Sequence, residues 1–109
     1  MSKLAVADFM GKSGTTYQFE VHAWGSEFEA AGGVYAITKR AVTNGKGSHI
    51  FIYFGQTGDL SERFEDHAKA SCFIKNGVNC ICVHFESDEK TRLAIESDFL
   101  EGYGTPCND

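Results

Sequence analysis

Seven residues near the middle of the chain, His49-Ile50-Phe51-Ile52-Tyr53-Phe54-Gly55, are almost all apolar. A run this short cannot cross a bilayer, and its content of β-branched and aromatic residues favours a strand. Unlike a half-buried strand, it does not alternate, so it predicts a central strand covered on both faces. The segment before it supplies a neighbour. From Gly33 to Arg40, Tyr35, Ile37 and Lys39 fall on one face and Val34, Ala36 and Thr38 on the other, and Asn44-Gly45 reverses the chain into the apolar run.

Around this pair the remaining elements arrange themselves by period. Leu4 to Phe9, a turn at Gly11-Lys12-Ser13-Gly14, and the alternation of Tyr17, Phe19 and Val21 predict an N-terminal β-hairpin. Residues 25–32 read as a connection. Asp59 followed by Glu62 has the spacing of a helix N-cap and predicts a helix from about Leu60 to Ala70, with Leu60, Phe64 and Ala68 as its apolar stripe. Arg63 and His67 flank that stripe one turn apart. Cys80 to Phe85 forms another strand, and Ser87-Asp88-Glu89 opens a last helix that ends at Gly102 to Gly104. The expected architecture is an α/β (α+β) sandwich. A small, mostly antiparallel sheet of three core strands is flanked by helices, with the hairpin of residues 1–32 as an extension of the core at 33–108.

One hundred and nine residues make one domain, large enough to fold without disulfides or a structural metal. Nine Phe, four Tyr and one Trp supply core bulk. The start MSKLAVADF lacks the pattern of a signal peptide, so the expected location is cytoplasmic, or nucleoid-associated, with no membrane contact. Cys72, Cys80, Cys82 and Cys107 are then expected as buried reduced thiols rather than as disulfides or zinc ligands. The formal net charge is −5, but residues 33–58 carry Lys39, Arg40 and Lys46 and no acid. Phosphate contacts, if the chain makes them, are expected from those three cations.

Polar groups in apolar surroundings mark the candidate chemistry. On the last helix Glu96 falls within an arc of Leu93, Ile95, Phe99, Leu100 and Tyr103. A carboxylate turned toward a core costs several kcal/mol unless a cation or donors meet it. Arg63 and His67 stand in the same position on the other helix. Either the two helices close a shared polar pocket, or a buried Glu–Arg pair merely fixes their packing.

Two triplets eighteen residues apart, Gly33-Val34-Tyr35 and Tyr53-Phe54-Gly55, favour the pocket. With Arg63, His67, Glu96 and Asn108 following at these spacings, residues 33–108 resemble the GIY-YIG nuclease superfamily. The resemblance implies hydrolysis of DNA phosphodiesters with one Mg²⁺ or Mn²⁺ held by Glu96. It implies Tyr35 as general base, aided by a nearby cation or by His67, with Arg63 stabilising the phosphorane charge. It further implies that Tyr53 contacts nucleophile or phosphate and that Asn108 orients water or Glu96. Gly33 and Gly55 are the motif glycines, where another group approaches the backbone closely.

Two other readings compete. A nucleic-acid or protein binding module could keep the fold without turnover, which would suit the acidic balance. A zinc- or redox-responsive protein could use the four cysteines. No recognition domain accompanies the core, so a nuclease of this size would need a homodimer or a targeting partner to hold DNA firmly.

Overall fold

Five antiparallel strands run in the order β1-β2-β5-β3-β4, and this sheet organises the molecule. They are β1 (Ala5–Met10), β2 (Thr16–Ala23), β3 (Gly33–Thr43), β4 (Lys46–Thr57) and β5 (Cys80–Phe85). Two helices complete the fold, α1 (Ala70–Lys75) and α2 (Glu89–Gly102), with a 3₁₀ turn at Phe64–Asp66. This is a computed structural model, and it describes residues 3–62 and 64–108. Among the described residues no helix is long and apolar enough to cross a membrane.

The three-stranded core sheet flanked by helices, with the hairpin as an appendage, is therefore overturned. β2 pairs with β5 through Glu20–Val83 to Ala23–Cys80, so the hairpin is part of the sheet. Its own alternation demands this, because Phe19 and Val21 are fully buried only with β5 and α2 against them. β5 and the first half of β3, not β4, are buried on both faces with neighbours on both edges. β4 is an edge strand. Its edge is covered by the C-terminal segment, where Cys107 N–H donates to the Ile52 carbonyl. The Asn108 carboxamide accepts from Phe54 N–H at 2.9 Å and donates to Phe54 O at 2.8 Å, as a neighbouring strand would.

Each face of the sheet has its own core. One is built from Phe9, Phe19, Val21, Val34, Ala36 and Phe54 beneath Ile95 and Phe99 of α2. The other gathers Tyr35, Ile37, Ile81 and Val83 under Leu60, Phe64 and Phe73. The α2 start agrees with expectation, since Asp88 accepts from Thr91 N–H at 2.9 Å as N-cap. Leu93 and Leu100 lie outside the buried stripe, at 46% and 37% exposure, and Arg92 takes a buried place with Ile95 and Phe99.

Among the described residues, the helix expected over residues 60–70 does not form. Asp59 accepts from the backbone and hydroxyl of Ser61, two residues on, and so closes a turn instead of capping a helix. Farther along, the His67 ring takes the Lys69 N–H, which removes that donor from a helical ladder. The chain instead winds irregularly, with Leu60 and Phe64 buried and Ala68 exposed.

A disulfide joins Cys72 to Cys107, against the expected reduced thiols, while Cys80 and Cys82 are free and buried. It ties α1 to the segment that covers β4. Cys72 and Cys107 lie 35 residues apart in sequence, and only the fold of that segment back onto β4 brings them together.

Candidate functional site

Tyr35 stands on β3 directly opposite Gly55 on β4. A Cβ at Gly55 would lie 2.5 Å from the Tyr35 hydroxyl and 2.9 Å from the Tyr53 ring, so only glycine leaves room for the phenols. The rings of Tyr35 and Tyr53 stack at 6.0 Å between centroids. His67, from the irregular segment above, meets Tyr53 edge-on at 5.1 Å and brings Nε2 within 3.0 Å of the Tyr35 oxygen. Gly33 serves the same closeness one step away, where a Cβ would stand 2.7 Å from Leu60 and 2.9 Å from the His84 carbonyl.

The protonation of this trio follows from its hydrogen bonds. Lys69 N–H donates to His67 Nδ1 at 2.9 Å, so the neutral ring carries its proton on Nε2 and donates it to Tyr35 Oη. The Tyr35 proton must then turn elsewhere, and Tyr53 is its neighbour. Burial drives the Tyr35 phenol well above its ordinary value, and Tyr53, Glu96 and Glu62 add to the rise. Burial raises Tyr53 as well, with a smaller push from Glu96. His67 is held below its usual value, chiefly by burial and then by the Lys69 charge. At neutral pH the trio is therefore uncharged, with two phenols and a neutral imidazole.

Beside it opens a cavity of about 350 Å³, lined by Tyr35, His67 and Thr57 and by the carboxylates of Asp59, Glu62 and Asp66. Glu96 does not line it. That residue is half-buried on α2, which packs against β4, and its charge reaches both phenols. Among the described residues nothing bonds to its carboxylate, and burial alone raises its pKa. The cavity is thus lined by β3, β4 and the segment after Asp59, and Glu96 acts on the phenols through its charge rather than as a lining residue.

The other expected site residues are spread out. Arg63 lies outside the described residues. Asn108 is spent on the backbone of Phe54, between Tyr53 and Gly55, where it positions the motif strand. Lys39, Arg40 and Lys46 stand along the β3–β4 hairpin, away from the phenols. Among the described residues no three His, Cys, Asp or Glu side chains cluster as metal ligands, so a cation here would rest on few protein oxygens.

Arg92 is the residue that sequence reasoning passed over. It is 6% exposed and donates to Gln56 Oε1 at 3.0 Å and to the carbonyls of Glu86 and Ser87. These bonds lock the start of α2 to the residue after Gly55. The signal was present, because Arg92, Ile95 and Phe99 share one helical stripe.

Comparison with protein-family models, curated proteins and solved structures returns no match.

Proposed function

We propose that the chain is a metal-dependent endonuclease that hydrolyses DNA phosphodiesters at the Tyr35 site. The observation that carries the reading is the Tyr35–Tyr53–His67 trio over Gly55, within reach of the Glu96 field. A stable core has no need of two phenols and an imidazole in one polar contact.

Glu96 fits a hard cation. It is a half-buried carboxylate without a bonding partner among the described residues, and positive charge would offset its desolvation. When bound, a Mg²⁺ or Mn²⁺ ion supplies positive charge that neutralises phosphate and favours an ionised phenol. Tyr35 accepts the proton of the attacking water only as the phenolate, after its own proton has passed to solvent in the adjoining cavity. His67 Nε2–H prepares that state by donating to the phenol oxygen, which places the imidazole as a stabiliser of the anion rather than as a store for its proton. Tyr53, stacked beside it, orients the nucleophile. Arg63 keeps the role the resemblance implies, a fork donor for phosphate oxygens.

The test is nicking of supercoiled plasmid in the presence of Mg²⁺ or Mn²⁺. The native chain is expected to nick, and Tyr35→Phe and Glu96→Ala to lose roughly 100-fold or more of the rate. Nicking by Glu96→Ala at the native rate would remove the assignment.

A further inference from the structure

Beyond Thr38 the β3–β4 pair leaves the sheet. β5 accompanies β3 only as far as Thr38–Cys80, and the Asn79 side chain then satisfies the backbone N–H and carbonyl of Arg40. From Lys39–Ile50 to Thr43–Lys46 the two strands pair only with each other. Residues 41–48 are all exposed. Asn44 at φ 53° and Gly45 at φ 76° turn the chain in two residues, which keeps the tip no wider than the ribbon. The result is an arm roughly 15 Å long.

The arm has two different faces. Alternation along β3 puts Lys39, Ala41 and Thr43 on the same side as Tyr35 and Ile37, and their partners Ile50, Ser48 and Lys46 share that side. The other face carries Arg40 and His49. There the Thr38 hydroxyl and His49 Nδ1 meet at 2.8 Å, and the Arg40 guanidinium crosses Gly47, 3.1 Å from where a Cβ would stand. Every charge on the arm is positive, while the balance on either side of it in the chain is acidic.

We propose that this arm is a groove-binding element for duplex DNA, inserting its Lys39–Lys46 face into the major groove beside the cleavage site. This rests on the endonuclease reading and names the target of that site. A two-stranded ribbon fits the ~12 Å major groove of B-DNA, and Lys39 and Lys46 reach the flanking phosphates while Thr43 and Ser48 present hydroxyls to base edges. The deep, narrow major groove of A-form RNA does not admit it. The arm begins four residues along β3 from Tyr35, about 13 Å, so its contacts fall roughly 4–8 base pairs from the scissile bond. A second copy of this chain is a poorer occupant. Its acids are spread over many elements, whereas the arm offers a narrow basic rod suited to a continuous line of phosphates.

The experiment is fluorescence anisotropy at low salt with a short labelled DNA duplex, using the full chain without added metal. Lys39→Gln/Lys46→Gln is expected to bind at least fivefold more weakly than the native chain. Its plot of log affinity against log salt should be shallower by up to about 2 units. The control Lys12→Gln/Lys75→Gln makes the same change in net charge elsewhere and is expected to bind as the native chain does. Matched circular dichroism melts show that both variants are folded. Guanine N7 in the major groove should be protected from dimethyl sulfate on the native complex, and duplex RNA of the same sequence should bind several-fold more weakly. Equal loss in both lysine pairs, unprotected N7, or a dimer that Lys39→Gln/Lys46→Gln dissolves without changing DNA affinity would each overturn the arm. Cleavage separates the two readings. Arm-dependent duplex binding without any nicking leaves the arm standing and removes the nuclease, whereas nicking unaffected by the arm variants does the reverse.

Discussion

The α2 face of the sheet is filled by Phe9, Phe19, Phe54 and Phe99, whereas the face under residues 59–78 buries Tyr35 and half-buries Tyr53 and His67. The first is apolar throughout at its centre, with Phe54 and Phe99 stacked at 4.8 Å and 9°. The second gives up apolar contact for a hydrogen-bonded trio and is closed by an irregular segment and a disulfide. Both faces share the same strands, so the difference comes from what covers them. A regular helix with a buried stripe makes a core, while a winding segment held by side-chain bonds makes a polar site.

Single substitutions on the two faces should separate stability from activity. Phe99→Ala leaves a cavity under α2 and is expected to cost about 3–5 kcal/mol in a denaturant melt. Wherever the variant is still folded, its nicking rate should stay near native. Tyr35→Phe removes one hydroxyl beside a half-exposed imidazole and should change stability by no more than about 1 kcal/mol. It should nonetheless abolish nicking. If Tyr35→Phe were the more destabilising of the two, the polar face would be a core in its own right.

The closure of the polar face can be tested next. Reduction of Cys72–Cys107, or Cys72→Ser, opens a loop of about 35 residues and is expected to lower stability by roughly 3–4 kcal/mol. It also frees the segment that holds Asn108 on Phe54. Exchange of the Phe54 amide proton should therefore quicken more than that of amides in the β2–β5 pairing. Uniform quickening across the sheet would mean that the bridge stabilises the whole fold and not this edge.

Strand positions were legible in the sequence because alternation and turn residues are local. Tyr17, Phe19 and Val21 announced β2, and Asn44-Gly45 announced the hairpin turn. Strand order was not legible, because pairing between β2 and β5 depends on which apolar face finds cover, and nothing local states that. The segment after Asp59 misled for a different reason. Its helical period is real, but Asp59 and His67 both bond to backbone two residues on and outcompete the ladder. At the candidate site, motif spacing singled out Gly55 and Tyr35, and their pairing across β3 and β4 explains why the glycine is needed. Glu96 was placed in the core by counting around α2, yet Arg92 occupies that stripe and Glu96 sits at its margin. A helical wheel gives the angle of a side chain but not which sector the neighbouring sheet will cover.

The smallest effect expected belongs to His67, and its sign distinguishes the two faces once more. Burial, then the Lys69 charge, lowers its pKa in the folded chain. The unfolded chain therefore binds more protons below about pH 6.5, and stability should fall as pH drops through that window. The geometry agrees, since a protonated ring would put an N–H at Nδ1 against the Lys69 N–H. His49 behaves similarly, lowered by burial and by Arg40, so the acid loss has contributions from both faces. Glu96 opposes them at lower pH, because its raised pKa makes the folded state the better proton binder there. Melting temperatures measured from about pH 7.5 to pH 5 should thus decline in the native chain and decline less in His67→Gln. His49→Gln should remove the complementary share and leave nicking intact, whereas His67→Gln should slow nicking across the whole range. Equal acid sensitivity in native and His67→Gln chains would show that the imidazole is not held neutral by its setting, and the proton arrangement assigned to Tyr35 would fall with it.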